Sequence, residues 1–448
     1  MSSRFEKKLR QVARAGARPP VLENYFVIED EFPENMPAPK LRQFQEDSLQ
    51  AIIERAGRKS PFYRRKWREA GVAARDFRQL EDLSRFPFTA KDELRGRPWE
   101  LLTCDKKEIA LVQVSTGTTG GEEIYIMYTW NDFYLHDLAP GYPSLVPVEI
   151  GDICFNALPY EMSSAGLAFH KTFMEGCGAT VIPAGKGGAY STPAKSVKML
   201  RDLLPNIVIT TPSWAAYLAE AAAAEDFDLH DLHLKKMWLT GEGCSPAFRE
   251  RMERTWGTVA NFYYGSLECG CIGIECDGHS GYHITQGHIL VEIVDPKTGK
   301  VLEPGEIGEI VVSCLLRYDT PILRYRTQDL GYIDTEPCDC GVRMPRIVLR
   351  GRLVDQMMIR GIAFSPFYLE EFLMRLPEVG NWFQFVLDHA NPDELLIRCE
   401  AAPGVSPSPE LAASLASKME YGTGIACRFE FVDQLPRPVG KTIRVVHR

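Results

Sequence analysis

The chain runs to 448 residues, too long for one common domain, so at least two domains are expected. Hydrophobic residues make up 45% and charged residues 25%, the balance of a globular protein with large cores rather than of a disordered chain. A net charge of −9 and a pI near 5.6, with no basic stripe, argue against nucleic acid as the main partner, and no run approaches the ~20 apolar residues of a membrane span.

The stretch from Arg4 to Arg18 is basic, but Glu6 interrupts it and no apolar core follows, so it reads as a tail and not as a targeting peptide. The next residues read mainly as helix. Leu41 to Arg55 is amphipathic, and Pro61 opens a second helical stretch. At Phe86-Pro87-Phe88-Thr89 the pattern is a loop, with Thr89 expected as the N-cap of a short helix, because a side-chain oxygen there satisfies free backbone N–H groups. From about residue 110 to 265, apolar runs alternate with helical patterns. Residues 179–183, 206–210 and 236–240 read as buried strands, and Pro193 to Leu204 as a helix between them. This alternation predicts an α/β fold with largely parallel strands. After residue 284 the pattern becomes β-rich, with strands over 288–294 and 309–313. A small α+β module closes the chain. Its helix starts at Ser365-Pro366, its hairpin turns at Asn391-Pro392, and its last strand covers 428–432.

Five short segments carry the chemistry. Ser115-Thr116-Gly117-Thr118-Thr119-Gly120 follows a strand-like run, and glycine turns that expose N–H groups beside hydroxyls suit phosphate oxygens. Tyr264-Gly265-Ser266-Leu267-Glu268 ends in a carboxylate, the ligand a hard cation such as Mg²⁺ prefers. Tyr325-Arg326-Thr327-Gln328-Asp329 ends in another, able to accept two hydrogen bonds from a ribose diol. Gly351-Arg352 follows, and Gly440-Lys441-Thr442 places one glycine-preceded lysine near the C-terminus.

In this order the segments resemble the adenylate-forming superfamily of acyl-CoA synthetases, and most of all its phenylacetate-CoA ligases, over about residues 61–445. The resemblance implies a large N-terminal domain, residues 1–353, of α/β and β-rich subdomains, and a small mobile α+β domain, residues 354–448. It implies that Lys441 and Glu268 are catalytic, Glu268 through Mg²⁺. Ser115, Thr116, Gly117, Thr118, Thr119, Gly120, Gly241, Glu242, Gly243, Tyr264, Gly265, Asp329 and Arg352 would bind ATP. Tyr134, His136, Tyr160, Phe169 and Trp214 would border the acyl pocket. Four positions depart from the family pattern: Gly121 stands where lysine is common, Ser266 and Leu267 are exchanged, and Val354 replaces a hinge aspartate.

The implied reaction joins a small carboxylic acid, expected to be aromatic, to coenzyme A through an acyl-adenylate made from ATP, in a homodimeric enzyme. Two other readings share the sequence. One is a stand-alone adenylation enzyme that loads a carrier-protein phosphopantetheine; the other is a nucleotide-binding homologue without catalysis. Twelve cysteines are scattered from Cys104 to Cys427 without a dense secreted framework, so most are expected reduced and buried, in a cytoplasmic protein. Cys338 and Cys340 are too close in sequence to bridge easily, but both sulfurs can face a tetrahedral ion. With Cys276 and His283 they form a candidate structural zinc site, and Cys269, Cys271 and His279 are alternative ligands.

Overall fold

The computed structural model describes residues 25–26, 31–115, 122–135, 138–162, 165–353, 356–387, 394–437, 440 and 442–448. The basic tail from Arg4 to Arg18 and the turn at Asn391-Pro392 lie outside these residues. The chain forms two compact units. One holds residues 1–183 and 261–350; the other holds 184–260 and 351–448. A break therefore falls at Arg350–Gly351, and residues 184–260 belong with the C-terminal segment.

In the first unit, helix Ala38–Lys59 turns at Ser60 into helix Pro61–Glu69. Ser60 Oγ accepts from the Tyr63 N–H at 3.4 Å and donates to the Glu100 carbonyl at 2.9 Å, a cap of the kind worth about 1 kcal/mol. The next helix, Lys91–Leu94, is not capped as expected. Ala90 is its N-cap, and the Glu93 carboxylate accepts the Ala90 N–H at 2.7 Å. The Thr89 hydroxyl instead donates to the Leu323 carbonyl at 2.7 Å, because Thr89 bridges to Tyr325 as an added β-residue. Phe26, Ile52, Tyr63, Trp67, Ile272 and Ile310 sit in one buried core.

Seven strands of this unit neighbour one another in the order Ile289–Val294, Gly308–Cys314, Tyr325–Asp334, Arg346–Arg352, Tyr282–Ile284, Gly270–Glu275, Ala260–Ser266. Strands Ile153–Ala157 and Thr180–Ile182 pair in parallel. The second unit has its own parallel pair, Ile207–Thr210 with Lys236–Leu239, covered by helices Pro193–Leu203, Pro212–Ala224 and Pro246–Trp256. Thr192, Thr211 and Ser245 cap these three helices, each followed by proline at the first helical position. Helix Pro366–Met374 follows Ser365, as the Ser-Pro pair predicts. Strand Cys427–Phe431 is not the last one: Val445–His447 follows and pairs in parallel with Val379–Leu387. The Arg251 guanidinium reaches the carbonyls of Met374, Leu376 and Val379 at 2.7–2.8 Å, satisfying the end of helix Pro366–Met374.

All twelve cysteines are free thiols. Burial is less general than composition suggests: Cys154, Cys269, Cys276, Cys314 and Cys399 are buried, and Cys340 is exposed. No described helix is long and apolar enough to cross a membrane.

Candidate active site and metal centre

The expected phosphate loop starts at the end of a hairpin formed by Ile109–Val114 and Tyr125–Thr129. Ser115 closes the hairpin. Its N–H donates to the Ile124 carbonyl at 2.9 Å, and its Oγ accepts from the Ile124 N–H at 3.1 Å. Thr116, Gly117, Thr118, Thr119 and Gly120 lie outside the described residues. Just beyond them, the Glu122 carboxylate rests on the turn at Gly96, and its backbone carbonyl accepts from Arg95 at 2.7 Å.

Tyr264 and Gly265 end the strand Ala260–Ser266, where the pairing register slips against Gly270–Glu275. The Gly270 carbonyl sits where a side chain at 265 would begin, so only glycine fits. The Tyr264 hydroxyl donates to Asp329 Oδ2 at 2.7 Å. Burial first, and then the Asp329 charge, push the Tyr264 phenol well above its ordinary range, so it remains a donor at neutral pH. The Thr327 hydroxyl accepts the Asp329 N–H at 3.1 Å and donates to the Ile310 carbonyl at 2.8 Å. Gln328 between them takes a left-handed φ of +66°, a local strain that aims Asp329.

Glu268 follows the same strand and is 4% exposed. Its Oε1 is buried and has no hydrogen-bond partner among the described residues; the Lys91 ammonium stands 3.7 Å away. A buried carboxylate oxygen left this way is costly, and a hard cation would satisfy it. The exchange of Ser266 and Leu267 has a visible result. The Ser266 hydroxyl accepts the Cys269 N–H at 3.1 Å and so is engaged within the turn. Lys91 carries no local signal in the sequence, since 177 residues separate it from Glu268.

Two of the expected pocket residues each pack against another ring. Tyr160 shares a 3.2 Å hydrogen bond with His170 Nδ1, and burial raises its phenol. Phe169, on the same helix as His170, meets the Tyr263 ring edge-on at 4.7 Å. Tyr134 stacks on Trp130, and the Lys171 ammonium lies 5.5 Å from its ring. His136 lies outside the described residues. Trp214 is in the second unit and only 2% exposed, packed beside Tyr217. His170 lies in none of the motifs, and only its 3.2 Å contact with Tyr160 marks it out.

In the second unit, Gly241, Glu242 and Gly243 follow the strand Lys236–Leu239. Glu242 is internally engaged. It accepts from the Lys186 ammonium at 2.9 Å, the Ser213 hydroxyl at 2.9 Å and the Ser213 N–H at 3.3 Å. The Phe367 ring lies where a Gly243 side chain would be. Arg352 ends the strand Arg346–Arg352, and its carbonyl accepts from Gln356 at 2.8 Å. Lys441 lies outside the described residues, but Gly440 before it accepts from Lys186 at 3.0 Å.

Cys276, His283, Cys338 and Cys340 converge, with all four ligand atoms within 4.8 Å of one another. The Cys276 and Cys338 sulfurs are 3.6 Å apart, and Cys340 Sγ is 3.3 Å from His283 Nε2. Zn–S bonds of ~2.3 Å and Zn–N bonds of ~2.0 Å in a tetrahedron imply edges of ~3.8 Å and ~3.5 Å, so the observed spacings fit that ion. His283 Nδ1 lies 2.9 Å from the Met344 carbonyl, which fixes the ring and leaves Nε2 toward the thiols. Burial acts to raise the Cys338 thiol, but hydrogen bonds from the Cys340 backbone, Ser280 and neighbouring thiols hold it down at about 6. The alternative ligands point elsewhere: Cys271 Sγ contacts the Gly273 carbonyl at 3.5 Å, the Cys269 carbonyl accepts from Cys314, and His279 faces Glu275 at 3.4 Å.

Residues 36–314 match the model of the AMP-binding enzyme family, and residues 361–448 match that of the AMP-binding enzyme C-terminal domain. The chain is 34% identical to a phenylacetate-coenzyme A ligase of Thermus thermophilus, over 79% of this chain and 80% of that one. It is 29% identical to a phenylacetate-coenzyme A ligase of Escherichia coli, over 91% and 94%. A solved 2-hydroxyisobutyryl-CoA ligase with its acyl-AMP, 24% identical, shares the fold at a TM-score of 0.83 over 97% of this chain and 94% of that one. Together with the site geometry, these matches show that the chain belongs to the AMP-binding, adenylate-forming enzyme family that includes the phenylacetate-CoA ligases.

Proposed function

We propose that the protein is an AMP-forming ligase that joins a small aromatic carboxylic acid to coenzyme A. The observation that carries this reading is Glu268. Its buried Oε1 has no hydrogen-bond partner among the described residues and only the Lys91 ammonium at 3.7 Å, and it follows Tyr264, whose hydroxyl holds Asp329, by four residues. A cation-seeking carboxylate and a positioned ribose acceptor are what a Mg·nucleotide requires. Family membership and the phenylacetate-CoA ligase relatives support the same reading.

In the first half-reaction an oxygen of the substrate carboxylate attacks the α-phosphorus of ATP, and pyrophosphate leaves with the electron pair of the broken P–O bond. In the second, the thiol of coenzyme A loses its proton, its sulfur attacks the acyl carbon, and AMP leaves. Glu268 would hold Mg²⁺, whose charge offsets that of the phosphates. Asp329, fixed by Tyr264 and Thr327, accepts from the ribose. Lys441 donates toward the carboxylate and α-phosphate as charge redistributes in the first step. Residues 354–448 reorient between the steps. The edge-on Phe169–Tyr263 ring pair and the Tyr160–His170 pair are the aromatic groups offered here as neighbours of a flat acyl group. Cys276, His283, Cys338 and Cys340 would hold a zinc ion in a structural role, since four protein ligands leave no open position for substrate. A homodimer in the cytoplasm completes the proposal; the free thiols agree with a reducing compartment.

The test is acid-dependent pyrophosphate release across a panel of carboxylates, followed by acyl transfer to coenzyme A or to a carrier-protein phosphopantetheine. Release with a small aromatic acid and transfer to coenzyme A is the expected result. Transfer to the carrier protein alone would move the enzyme to the natural-product class. ATP binding without turnover of any acid would leave a nucleotide-binding homologue.

A further inference from the structure

The second unit contains a lysine that lies in none of the sequence motifs. Lys186 lies between the strand Thr180–Ile182 and the helix Pro193–Leu203, and its side chain is 2% exposed. Lysine is almost never buried this deeply unless its charge is paired and its donors are used. Here the ammonium makes two contacts. It donates to Glu242 Oε1 at 2.9 Å and to the Gly440 carbonyl at 3.0 Å. Glu242 is itself immobilised by the hydroxyl and N–H of Ser213, at the N-terminus of helix Pro212–Ala224. The Gly440 carbonyl belongs to the peptide bond that joins Gly440 to Lys441.

A second anchor holds the same segment from the other side. Arg437 pairs with Glu400, donating to Oε2 at 2.8 Å, and with Glu220 at 3.1 Å. Its guanidinium lies 4.1 Å from the Trp382 ring centre. Arg437 and Gly440 are thus each held by a described contact. Gly440 needs such a tie, because a glycine adds no side-chain packing of its own and has the widest backbone freedom.

We infer that Lys186 is a positioning residue for adenylation: with Glu242 as its fixed counter-charge, it sets the peptide plane leading into Lys441. It touches no reacting atom. The energetics favour this arrangement over a purely structural ion pair. An isolated Lys186–Glu242 pair would cost desolvation that a pair of apolar residues avoids. Directing a second of its three donors to a loop carbonyl gives the buried charge a task that apolar residues could not perform. This inference rests on the reading of Lys441 as the residue that acts in adenylation.

The test compares the parent enzyme with Lys186→Met and Lys186→Arg. Lys186→Met should lose about 10²-fold in acid-dependent pyrophosphate release, the loss typical of a displaced catalytic group. Acyl transfer from preformed acyl-adenylate should stay near the parent rate, and Lys186→Arg, which keeps the charge and donors, should recover part of the adenylation loss. A second readout needs no activity: trypsin cleavage after Lys441, followed by mass spectrometry as fragments that begin at Thr442, which separates it from cleavage after Arg444. Arg437 precedes proline and is resistant, so faster release from Lys186→Met reports a loosened loop. Equal losses in both half-reactions with unchanged trypsin cleavage would overturn the inference. If Lys186→Met does not fold, Lys186→Gln carries the same comparison. If the parent releases no pyrophosphate with any acid, the functional reading fails, while the trypsin comparison still decides whether Lys186 holds the loop.

Discussion

Tyr264→Phe removes one oxygen and leaves the ring that packs 5.6 Å from Tyr282. What is lost is a 2.7 Å hydrogen bond to Asp329 Oδ2. Bonds to ionised groups are short and strong, and contribute about 1.5–3 kcal/mol each. If Asp329 accepts from the ribose, part of that loss appears as misorientation of the carboxylate. At about 1.4 kcal/mol per tenfold, the apparent KM for ATP should rise by about ten- to a hundredfold. The ribose contact exists before and during the chemical step, so its loss is uniform and kcat should change little. The assay is pyrophosphate release titrated with ATP and with 2′-deoxy-ATP. The parent should prefer ATP, and Tyr264→Phe should narrow that preference. A lowered melting temperature with unchanged KM and unchanged ribose discrimination would show that the pair is structural only, and the assignment of Asp329 would fall.

Three further outcomes follow from named contacts. Purified protein should carry about one zinc per chain, and Cys340→Ser should lower both zinc content and melting temperature; zinc-free protein of equal stability after strong chelation would remove the metal centre. Lys441→Ala should cost on the order of 10²–10³ in adenylation and far less in transfer from preformed acyl-adenylate, as quench-flow of each half-reaction would resolve. Arg251→Ala strips the carbonyls of Met374, Leu376 and Val379 of their donor and should destabilise the protein by about 3 kcal/mol in urea unfolding, with the acid's KM unchanged; a shift under 1 kcal/mol would mean that water replaces the guanidinium at about no cost.

Local rules made much of this protein legible before its fold was known. The apolar runs at 206–210 and 236–240 have no polar face to offer water, so they become the buried parallel strands Ile207–Thr210 and Lys236–Leu239. Ser365-Pro366 starts a helix because proline loses nothing at a position whose N–H has no partner. Residue type made Cys276, His283, Cys338 and Cys340 candidate ligands beside Cys269, Cys271 and His279, and only the fold shows which four ligand atoms come within 4.8 Å of one another. The misses share one cause. Thr89 looked like a cap, but its hydroxyl was taken by the Leu323 carbonyl, 234 residues away. Lys91 facing Glu268, His170 bonded to Tyr160 and Lys186 reaching Gly440 pair side chains whose neighbours in sequence carry no mark of the contact. Sequence determines which residues can supply charge, donors and tight turns, because those are properties of a residue and its few neighbours. Which charge meets which partner, and which buried lysine is spent on a loop, depends on the distances that only packing creates.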